Sequence, residues 1–279
     1  MAYPATATAG DAGASGENPA PAVATASRTR GVAHVVLPAY NEEASLAPLL
    51  ERLADVARTE KLIVWVVDDG STDGTATIAS RGVAGLEVKL VPHPVNLGLG
   101  QAVQTGLRAV LDSAAPVDIV VVMDADDTHD PALITPLQDA IAAGSDVAIC
   151  SRFAAGGDDS TAPRFRRVLS RGAAVLFHRV LRLDGVHDFT SGFRAYRVSI
   201  LDRAFGHWGE RLVEEQGFAC MVELLLKLRY CRPTITEIPL VLQYDRKQGP
   251  SKLRLRRTIW QYVKLLARDR LSPAPYRAL

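Results

Sequence analysis

From residue 33 onward, short apolar runs alternate with segments of helical pattern, and this alternation constrains the fold more than any other feature. The apolar runs are rich in valine and isoleucine and read HVVLP, LIVWVV, EVKLV, DIVVVM and DVAIC. Runs of this kind, separated by helices, are typical of parallel strands that are buried on both faces. The first half of the chain therefore predicts an α/β fold with an open, doubly wound, mostly parallel, Rossmann-like sheet.

The second half of the chain is less regular. It predicts, in order, an arginine-rich helix over 164–183, a turn region over 188–194, an apolar helix over 218–229, a strand over 234–242 and a basic helix over 255–268. Neither an internal repeat nor a change in composition marks a second independent domain. We therefore expect this half to complete the same domain with a basic, mainly helical part.

Three features narrow the class of protein. Residues 1–30 consist mainly of Ala, Gly, Pro, Thr and Ser and lack the basic and apolar regions of a secretory signal, which predicts a disordered leader. The three cysteines are odd in number and lack CxxC spacing, which argues against a disulfide framework and favours a reducing cytosol. Because no apolar run approaches the roughly 20 residues that span a bilayer, the sequence predicts a soluble or peripheral protein.

The net charge of +1 conceals an unequal distribution of charged residues. Residues 1–150 carry 8 basic and 19 acidic side chains, whereas residues 151–279 carry 24 basic and 12 acidic ones. Such an asymmetry suggests that differently charged ligands, or two parts of one ligand, bind to different parts of the chain.

Polar turns follow three of the predicted strands. They read PAYNE from Pro38, DDGSTDG from Asp68 and DADDTHD from Asp124. Because ligands of open α/β sheets bind beyond the carboxyl ends of the strands, these turns form the candidate site. Carboxylates at alternate positions of an extended segment, as at Asp124 and Asp126, can converge on a hard divalent cation, which would neutralise a substrate phosphate.

Other interpretations of the acidic cluster fit less well. An EF-hand calcium loop needs glycine at position 6 and glutamate at position 12, where this chain has His129 and Thr135. A solvated acidic turn stays open as an alternative, although two more acidic turns at the same edge disfavour it. The glycine pattern of dinucleotide sites and the Walker A loop are both missing from the sequence, which argues against hydride transfer and P-loop phosphoryl transfer.

Seven motifs occur in an order that resembles glycosyltransferase family 2, and within it the dolichyl- or polyprenyl-phosphate mannose synthase group. They are PAYNEE, VVDDGSTDGT, NLGLGQA, MDADDTHDP, SRF, SGFR and EIPLVLQYDRKQGPSKL. The resemblance implies a GT-A fold, a nucleotide-sugar donor, Mg²⁺ or Mn²⁺ at the DxD carboxylates and inversion at the anomeric carbon of the sugar. We place the catalytic domain at 31–258, between the leader at 1–30 and a basic helix and tail at 259–279.

The resemblance assigns the donor side of the site to the first half of the chain. Contacts to the nucleotide sugar are expected from Pro38, Tyr40, Glu42, Asp68, Asp69, Gly100 and Asp124. Asp124 and Asp126 would hold the metal ion against the donor pyrophosphate. Thr128 stands where the mannose synthases commonly have glutamine, so a metal contact of its hydroxyl and the identity of the sugar both stay open. His129 is expected to support the site rather than to ligate the metal.

The resemblance assigns the phosphate contacts to basic residues of the second half, namely Arg152, Arg167, Arg194, Arg246 and Lys252. Together with Ser170, Arg152 and Arg167 would complete a catalytic set that begins with Asp124 and Asp126. A phosphate acceptor is already ionised at neutral pH, so it needs placement and charge neutralisation rather than a strong base. The planar fork of arginine supplies both.

The motifs predict an inverting, metal-dependent hexosyltransferase that uses a polyprenyl or dolichyl phosphate as acceptor, with mannose from GDP-mannose as the first candidate. One alternative is UDP-glucose or another donor, or a soluble hydroxyl acceptor, for which Glu214 or Glu215 would supply a base. The interpretation we prefer for these two glutamates is a favourable position near a helix N-terminus. The alternative from a different class is a catalytically silent scaffold or regulatory subunit.

Two segments, 164–183 and 252–270, combine basic residues with apolar and aromatic ones. Such helices lie on anionic membrane surfaces or pack on a core. We expect a cytoplasmic protein that reaches its lipid acceptor at the cytoplasmic face of the membrane, by direct contact or through a membrane-anchoring partner. We expect no nucleic-acid partner.

Overall fold

A computed structural model of the chain describes residues 30–181, 183, 185–246 and 255–271. The strands are β1 Ala33–Ala39, β2 Leu62–Asp68, β3 Glu87–Pro92, β4 Ile119–Val122, β5 Val147–Ser151, β6 Arg194–Arg197 and β7 Ile235–Pro239. The helices are α1 Glu43–Val56, α2 Thr75–Arg81, α3 Leu99–Leu111, α4 Ile134–Ala142, α5 Arg164–Leu181, α6 Val198–Trp208, α7 Ala219–Leu228 and α8 Leu255–Leu271. The strands form one sheet in the order β3-β2-β1-β4-β6-β5-β7.

The sheet is mostly parallel. β1 pairs with β2 and β4, β2 with β3, and β5 with β7 in parallel, whereas β6 runs antiparallel to both β4 and β5. Helices pack on both faces, as alternating residues of β1 illustrate: Val36 belongs to the core under α3 and α7, while Val35 and Leu37 belong to the core under α1 and α4. The predicted doubly wound α/β fold is confirmed.

Two elements of the second half were not predicted. The segment over 188–194 was expected to be only a turn, but β6 begins at Arg194 and α6 follows it. β6 has no apolar run to reveal it, because its four residues read RAYR. Since Arg194 pairs with Val122 at the carboxyl end of β4, the turn before β6 reaches the same sheet edge as the ends of the parallel strands.

The basic C-terminal helix, α8, packs against the rest of the molecule. Tyr262 meets Phe177 of α5 edge-on, with ring centroids 5.0 Å apart, and Arg229 pairs with Asp269 at 3.0 Å. The boundary that we placed between residues 258 and 259 falls within this helix. The predicted leader, apart from Arg30, lies outside the described residues.

Within the part of the chain that the structure describes, no helix has both the length and the apolar character to cross a bilayer.

His34, which is buried near the amino end of β1, makes the stability of the fold depend on pH. Trp65 Nε1 donates to His34 Nδ1 at 3.2 Å, so the ring proton lies on Nε2, 3.3 Å from Asp118 Oδ2. Burial lowers the pKa of His34, and Asp118 offsets this only in part. As the pH falls, the unfolded chain therefore binds a proton at His34 before the folded chain does. The contribution of the neutral His34 ring to the free energy of unfolding is complete above the unfolded pKa of 6.5 and decreases at lower pH.

We expect the free energy of unfolding to fall more steeply between pH 7.5 and pH 5 in the native protein than in a His34→Gln variant. Glutamine has no group that titrates in this range. Urea unfolding at several pH values measures the two slopes. Parallel slopes would contradict the role of His34.

Candidate active site

The carboxyl ends of the parallel strands open into a cavity of about 860 Å³. Most of the predicted site residues line it: Pro38, Tyr40, Glu42, Asp69, Asp124, Asp126, Thr128, Arg152, Arg167 and Ser170. Helix α8 adds residues that the sequence analysis did not assign to the site: Arg257, Thr258, Gln261 and Tyr262. The acidic first half and the basic second half of the chain therefore meet in one cavity.

Asp69 shapes one wall of the cavity. Its Oδ1 accepts from the backbone nitrogen of Leu97 and its Oδ2 from that of Gly98, both at 2.8 Å. Because a carboxylate only accepts, His93 Nδ1 donates to Oδ1 at 2.8 Å, and His93 Nε2 lies 3.0 Å from Thr105 Oγ1. These bonds fix the segment before α3 against the end of β2.

The acidic loop after β4 presents two carboxylates to the cavity. Asp126 Oδ1 accepts from Thr128 Oγ1 at 2.7 Å and from the backbone nitrogen of Thr128 at 3.3 Å. On the other side, a Cβ atom added to Gly192 would stand 3.0 Å from Asp124 Oδ1. The turn before β6 thus lies directly against Asp124, and a larger residue at position 192 would press on that carboxylate.

The donor set suits Mg²⁺ or Mn²⁺ bound together with a substrate. Among the described residues, no group of three or more His, Cys, Asp or Glu side chains is arranged to hold a metal ion. Asp124 and Asp126 provide hard oxygen ligands at the cavity wall, and Mg²⁺ is commonly held by one or two carboxylates, with substrate phosphates and water as the other ligands. The two carboxylates therefore fit a cation that arrives with a pyrophosphate.

The hydroxyl group of Thr128 donates to Asp126 and so fixes the orientation of that carboxylate. Partners that orient a metal-binding carboxylate typically change metal affinity by about 10- to 100-fold. We expect Thr128→Val to raise the Mn²⁺ concentration for half-maximal activity by about this factor, and Thr128→Ser to leave it nearly unchanged. Because the side chain is buried and valine has the same shape, thermal denaturation should show both variants folded. Equal Mn²⁺ requirements would contradict the role.

His129 belongs to the acidic loop and also lines the cavity. Its ring stacks on Phe193 at 5.1 Å, and its buried Nδ1 has no hydrogen-bond partner among the described residues. This placement agrees with a supporting position, and a bound polar group or water at the cavity would satisfy the open nitrogen.

Arg152 is held by a carboxylate that sequence reasoning missed. Arg152 Nε and Nη2 donate to Asp188 Oδ2 and Oδ1 at 2.8 and 2.7 Å, and Nη2 also donates to Thr190 Oγ1 at 2.7 Å. Burial alone would lower the pKa of Arg152, but Asp188 raises it above its usual value. Burial would raise the pKa of Asp188, but Arg152 holds it below its usual value. Both groups therefore stay charged.

Arg194, which was predicted to bind phosphate, is not among the described residues that line the cavity. The residue is fully buried in the core. Its Nη1 donates to the carbonyl oxygen of Met221 and its Nη2 to that of Phe189, both at 2.7 Å. Arg194 therefore ties the turn before β6 to the start of α7, and it supports the site from behind.

Three more predicted residues lie elsewhere. Asp68 Oδ1 accepts from the backbone nitrogen of Ser71 at 3.1 Å and shapes the turn after β2. A Cβ atom at Gly100 would stand 1.7 Å from the carbonyl oxygen of Glu215, so this glycine permits close packing of α3. Arg246 lines a second, more open cleft of about 530 Å³ beside Asp127. Lys252 lies outside the described residues.

Glu214 and Glu215 belong to an ion-pair network. Neither is among the described residues that line the cavity. Lys227 Nζ contacts Glu214 at 3.0 Å and the fully buried Glu223 at 2.9 Å. Burial would raise the pKa of Glu214, but Lys227, Arg211 and Arg268 together outweigh it and lower the pKa. A group held ionised and away from the cavity does not suit the catalytic base that a hydroxyl acceptor would need.

Comparison with known proteins places this chain among sugar transferases. The family model described as glycosyl transferase family 2 matches residues 34–205. The chain is 33% identical over 235 residues to a dolichol-phosphate mannosyltransferase of Pyrococcus furiosus, covering 84% of this chain and 62% of that protein. It is 32% identical over 245 residues to a polyprenol monophosphomannose synthase of Mycolicibacterium smegmatis, covering 86% and 89%. The chain thus spans less than two thirds of the Pyrococcus protein.

Solved structures show the same fold. Glucosyl-3-phosphoglycerate synthase from Mycobacterium tuberculosis in complex with UDP superposes with a TM-score of 0.60 at 21% identity, over 88% of this chain and 82% of that one. The same enzyme with Mn²⁺ and UDP-glucose gives a TM-score of 0.62 at 22% identity, over 88% and 81%.

Proposed function

Because this chain belongs to glycosyltransferase family 2, as its motifs predicted, we propose that it transfers mannose from GDP-mannose to a polyprenyl phosphate. One observation carries the proposal: a carboxylate pair suited to a metal ion and a set of arginines line the same cavity. The names of the relatives support mannose as the sugar and a polyprenyl phosphate as the acceptor.

The residues of the cavity suit an in-line displacement. An oxygen of the acceptor phosphate attacks the anomeric carbon, the bond from that carbon to the donor's β-phosphate oxygen breaks, and the nucleoside diphosphate leaves with the bonding electrons, which inverts the configuration. Mg²⁺ or Mn²⁺, held by Asp124 and Asp126, would neutralise the charge of the leaving pyrophosphate. Arg152 and Arg167 hold the acceptor phosphate, whose negative charge the donor would otherwise repel.

A transfer assay tests the proposal. The purified protein is incubated with Mg²⁺ or Mn²⁺, a short-chain polyprenyl phosphate and one nucleotide sugar at a time. We expect a sugar-lipid product with GDP-mannose. A product formed only with UDP-glucose would identify UDP-glucose as the donor in place of GDP-mannose. The absence of a sugar-lipid with every donor would overturn the proposal.

Nucleotide binding separates the donor bases independently of turnover. A ligand that binds the native state raises the melting temperature. We expect GDP with Mn²⁺ to raise it more than UDP with Mn²⁺, whereas the opposite order would favour a uridine donor.

We further propose that α5 and α8 bring the cavity to an anionic membrane surface on the cytoplasmic side. Both helices line the cavity, and both expose apolar side chains, Phe165 and Val168 on α5 and Trp260 and Val263 on α8. Exposed basic residues flank them: Arg164, Arg171, Arg179, Arg257 and Lys264. Apolar and basic side chains on one surface suit contact with anionic lipid.

Vesicle flotation tests this surface. We expect the protein to float with vesicles that contain phosphatidylglycerol and not with neutral phosphatidylcholine vesicles, and a Phe165→Ser, Trp260→Ser double variant to lose flotation while it keeps activity on a short-chain, soluble acceptor. Equal flotation of the native and variant proteins would contradict the proposed surface.

A further inference from the structure

The loop after β4 carries more negative charge than a cation site needs. Four aspartates fall within seven residues, Asp124, Asp126, Asp127 and Asp130. Asp124 and Asp126 line the main cavity, whereas Asp127 lines the second cleft, on the side of α1. The backbone at Asp127 has a φ of +60°, a left-handed conformation that aspartate tolerates better than most residues. The loop thus divides its carboxylates between two sides.

One arginine binds both carboxylates that face away from the cavity. Arg52 of α1 forms an ion pair through Nη1 with Asp127 Oδ1 and another through Nη2 with Asp130 Oδ1, the latter at 3.2 Å. The Arg52 side chain is 23% exposed and that of Asp127 11%, so water screens the pair less than it screens a surface pair. Asp130 Oδ1 also accepts from the backbone nitrogen of Ala132 at 3.1 Å.

We propose that Arg52 is a positioning residue for the metal-binding loop: it holds Asp127 and Asp130 on the side of α1, so that only Asp124 and Asp126 are presented to the cation. This inference rests on the proposed function, because it concerns the metal ion that accompanies the donor. Without the guanidinium, Asp127 loses its ion pair with Arg52, and its negative charge lies one residue from Asp126. The two carboxylates repel each other, and the geometry that Thr128 imposes on Asp126 is lost.

Hydrogen bonds that do not involve Arg52 also hold the acidic loop in place. The carbonyl oxygen of Thr128 accepts from the backbone nitrogen of Gln243 at 3.0 Å, and Ala132 fixes the end of the loop through Asp130. These bonds hold the loop in the fold when Arg52 is replaced. The placement of Asp127 is what depends on the arginine, so the effect falls on metal binding rather than on folding.

The test measures Mn²⁺ binding without turnover. Calorimetric titration of Mn²⁺ into the protein at a fixed, saturating concentration of GDP, with UDP as a second probe, gives the Mn²⁺ concentration for half-saturation. Supporting partners of metal ligands typically contribute about 10- to 100-fold in affinity. We expect Arg52→Gln to raise the half-saturation concentration by about this factor and Arg52→Lys, a single point charge, to raise it less.

Two further variants make the test specific. Arg58→Gln is the matched control, because Arg58 lies just beyond the end of α1, is 80% exposed and pairs with the exposed Asp55. We expect native Mn²⁺ binding in this variant. In the Arg52→Gln background, Asp127→Asn removes the unpaired charge and should restore binding to within a few-fold of native.

The outcomes separate this inference from the function on which it rests. Unchanged Mn²⁺ binding in Arg52→Gln, or a double variant that binds as weakly as Arg52→Gln alone, overturns the role of Arg52 and leaves the proposed function intact. A native protein that binds neither nucleotide in a metal-dependent way overturns both. If Arg52→Gln does not fold, as its melting curve would show, the attachments described above do not hold the loop and the positioning role is likewise overturned.

Discussion

Replacement of Asp126 by asparagine is expected to lower the rate of sugar transfer by about 10³-fold or more. Charge stabilisation by a metal ion is worth several kcal/mol, and each 1.36 kcal/mol changes a rate tenfold. Asparagine keeps the shape of the side chain and can still accept from Thr128, so the variant should stay folded. Single-turnover assays and Mn²⁺-dependent binding of GDP measure the loss, and both should fall together.

The control for this experiment is the same substitution at an aspartate that does not line the cavity. Asp112, at the end of α3, is largely exposed and pairs with Arg108 at 3.6 Å. Asp112→Asn should transfer sugar at the native rate. Near-native activity of Asp126→Asn would remove the metal ion from the proposed mechanism.

Replacement of Arg152 by alanine is expected to have the largest effect on stability. Asp188 is fully buried and charged, and it would lose the guanidinium that compensates it. Removal of one partner from a buried ion pair typically costs about 3–5 kcal/mol. Chemical denaturation should therefore show the free energy of unfolding reduced by about this amount, and acceptor use should fall as well because Arg152 lines the cavity.

Two variants test the explanation. Arg108→Ala removes an arginine whose ion pair is exposed, and such pairs contribute about 0–1 kcal/mol. Adding Asp188→Asn to Arg152→Ala removes the uncompensated charge and should recover part of the lost stability. If Arg152→Ala lowered the free energy of unfolding no more than Arg108→Ala does, the Arg152–Asp188 pair would not stabilise the fold as its geometry indicates.

Most of the residues expected to bind the donor were predictable as cavity residues because their determinants are local. Buried parallel strands leave continuous apolar runs, and the carboxyl-end rule then selects the residues that follow them. Tyr40, Asp69, Asp124 and Asp126 were found in this way, and all of them line the cavity. Motif order added Arg152 and Arg167, which periodicity alone would have left as surface charges.

The features that were missed depend on contacts distant in sequence. Arg194 looks like a phosphate ligand in a motif, but its side chain is buried in the core, where it donates to the carbonyl oxygens of Met221 and Phe189. Asp188 pairs with Arg152 across 36 residues. A local signal for Asp188 existed, since an aspartate followed by Thr190 and Ser191 commonly accepts from their backbone nitrogens, as it does here. The contribution of α8 to the cavity had no such local signal.

A single competition experiment tests the central claim most directly. The protein is incubated with Mg²⁺, a short-chain polyprenyl phosphate and an equimolar pool of GDP-mannose, UDP-glucose and other nucleotide sugars in which each sugar carries a different isotope label, and the lipid products are identified by mass spectrometry. The account predicts one product, a mannosyl polyprenyl phosphate, whose formation requires Asp126. A lipid that carries a different sugar, or the absence of any sugar-lipid, would contradict it.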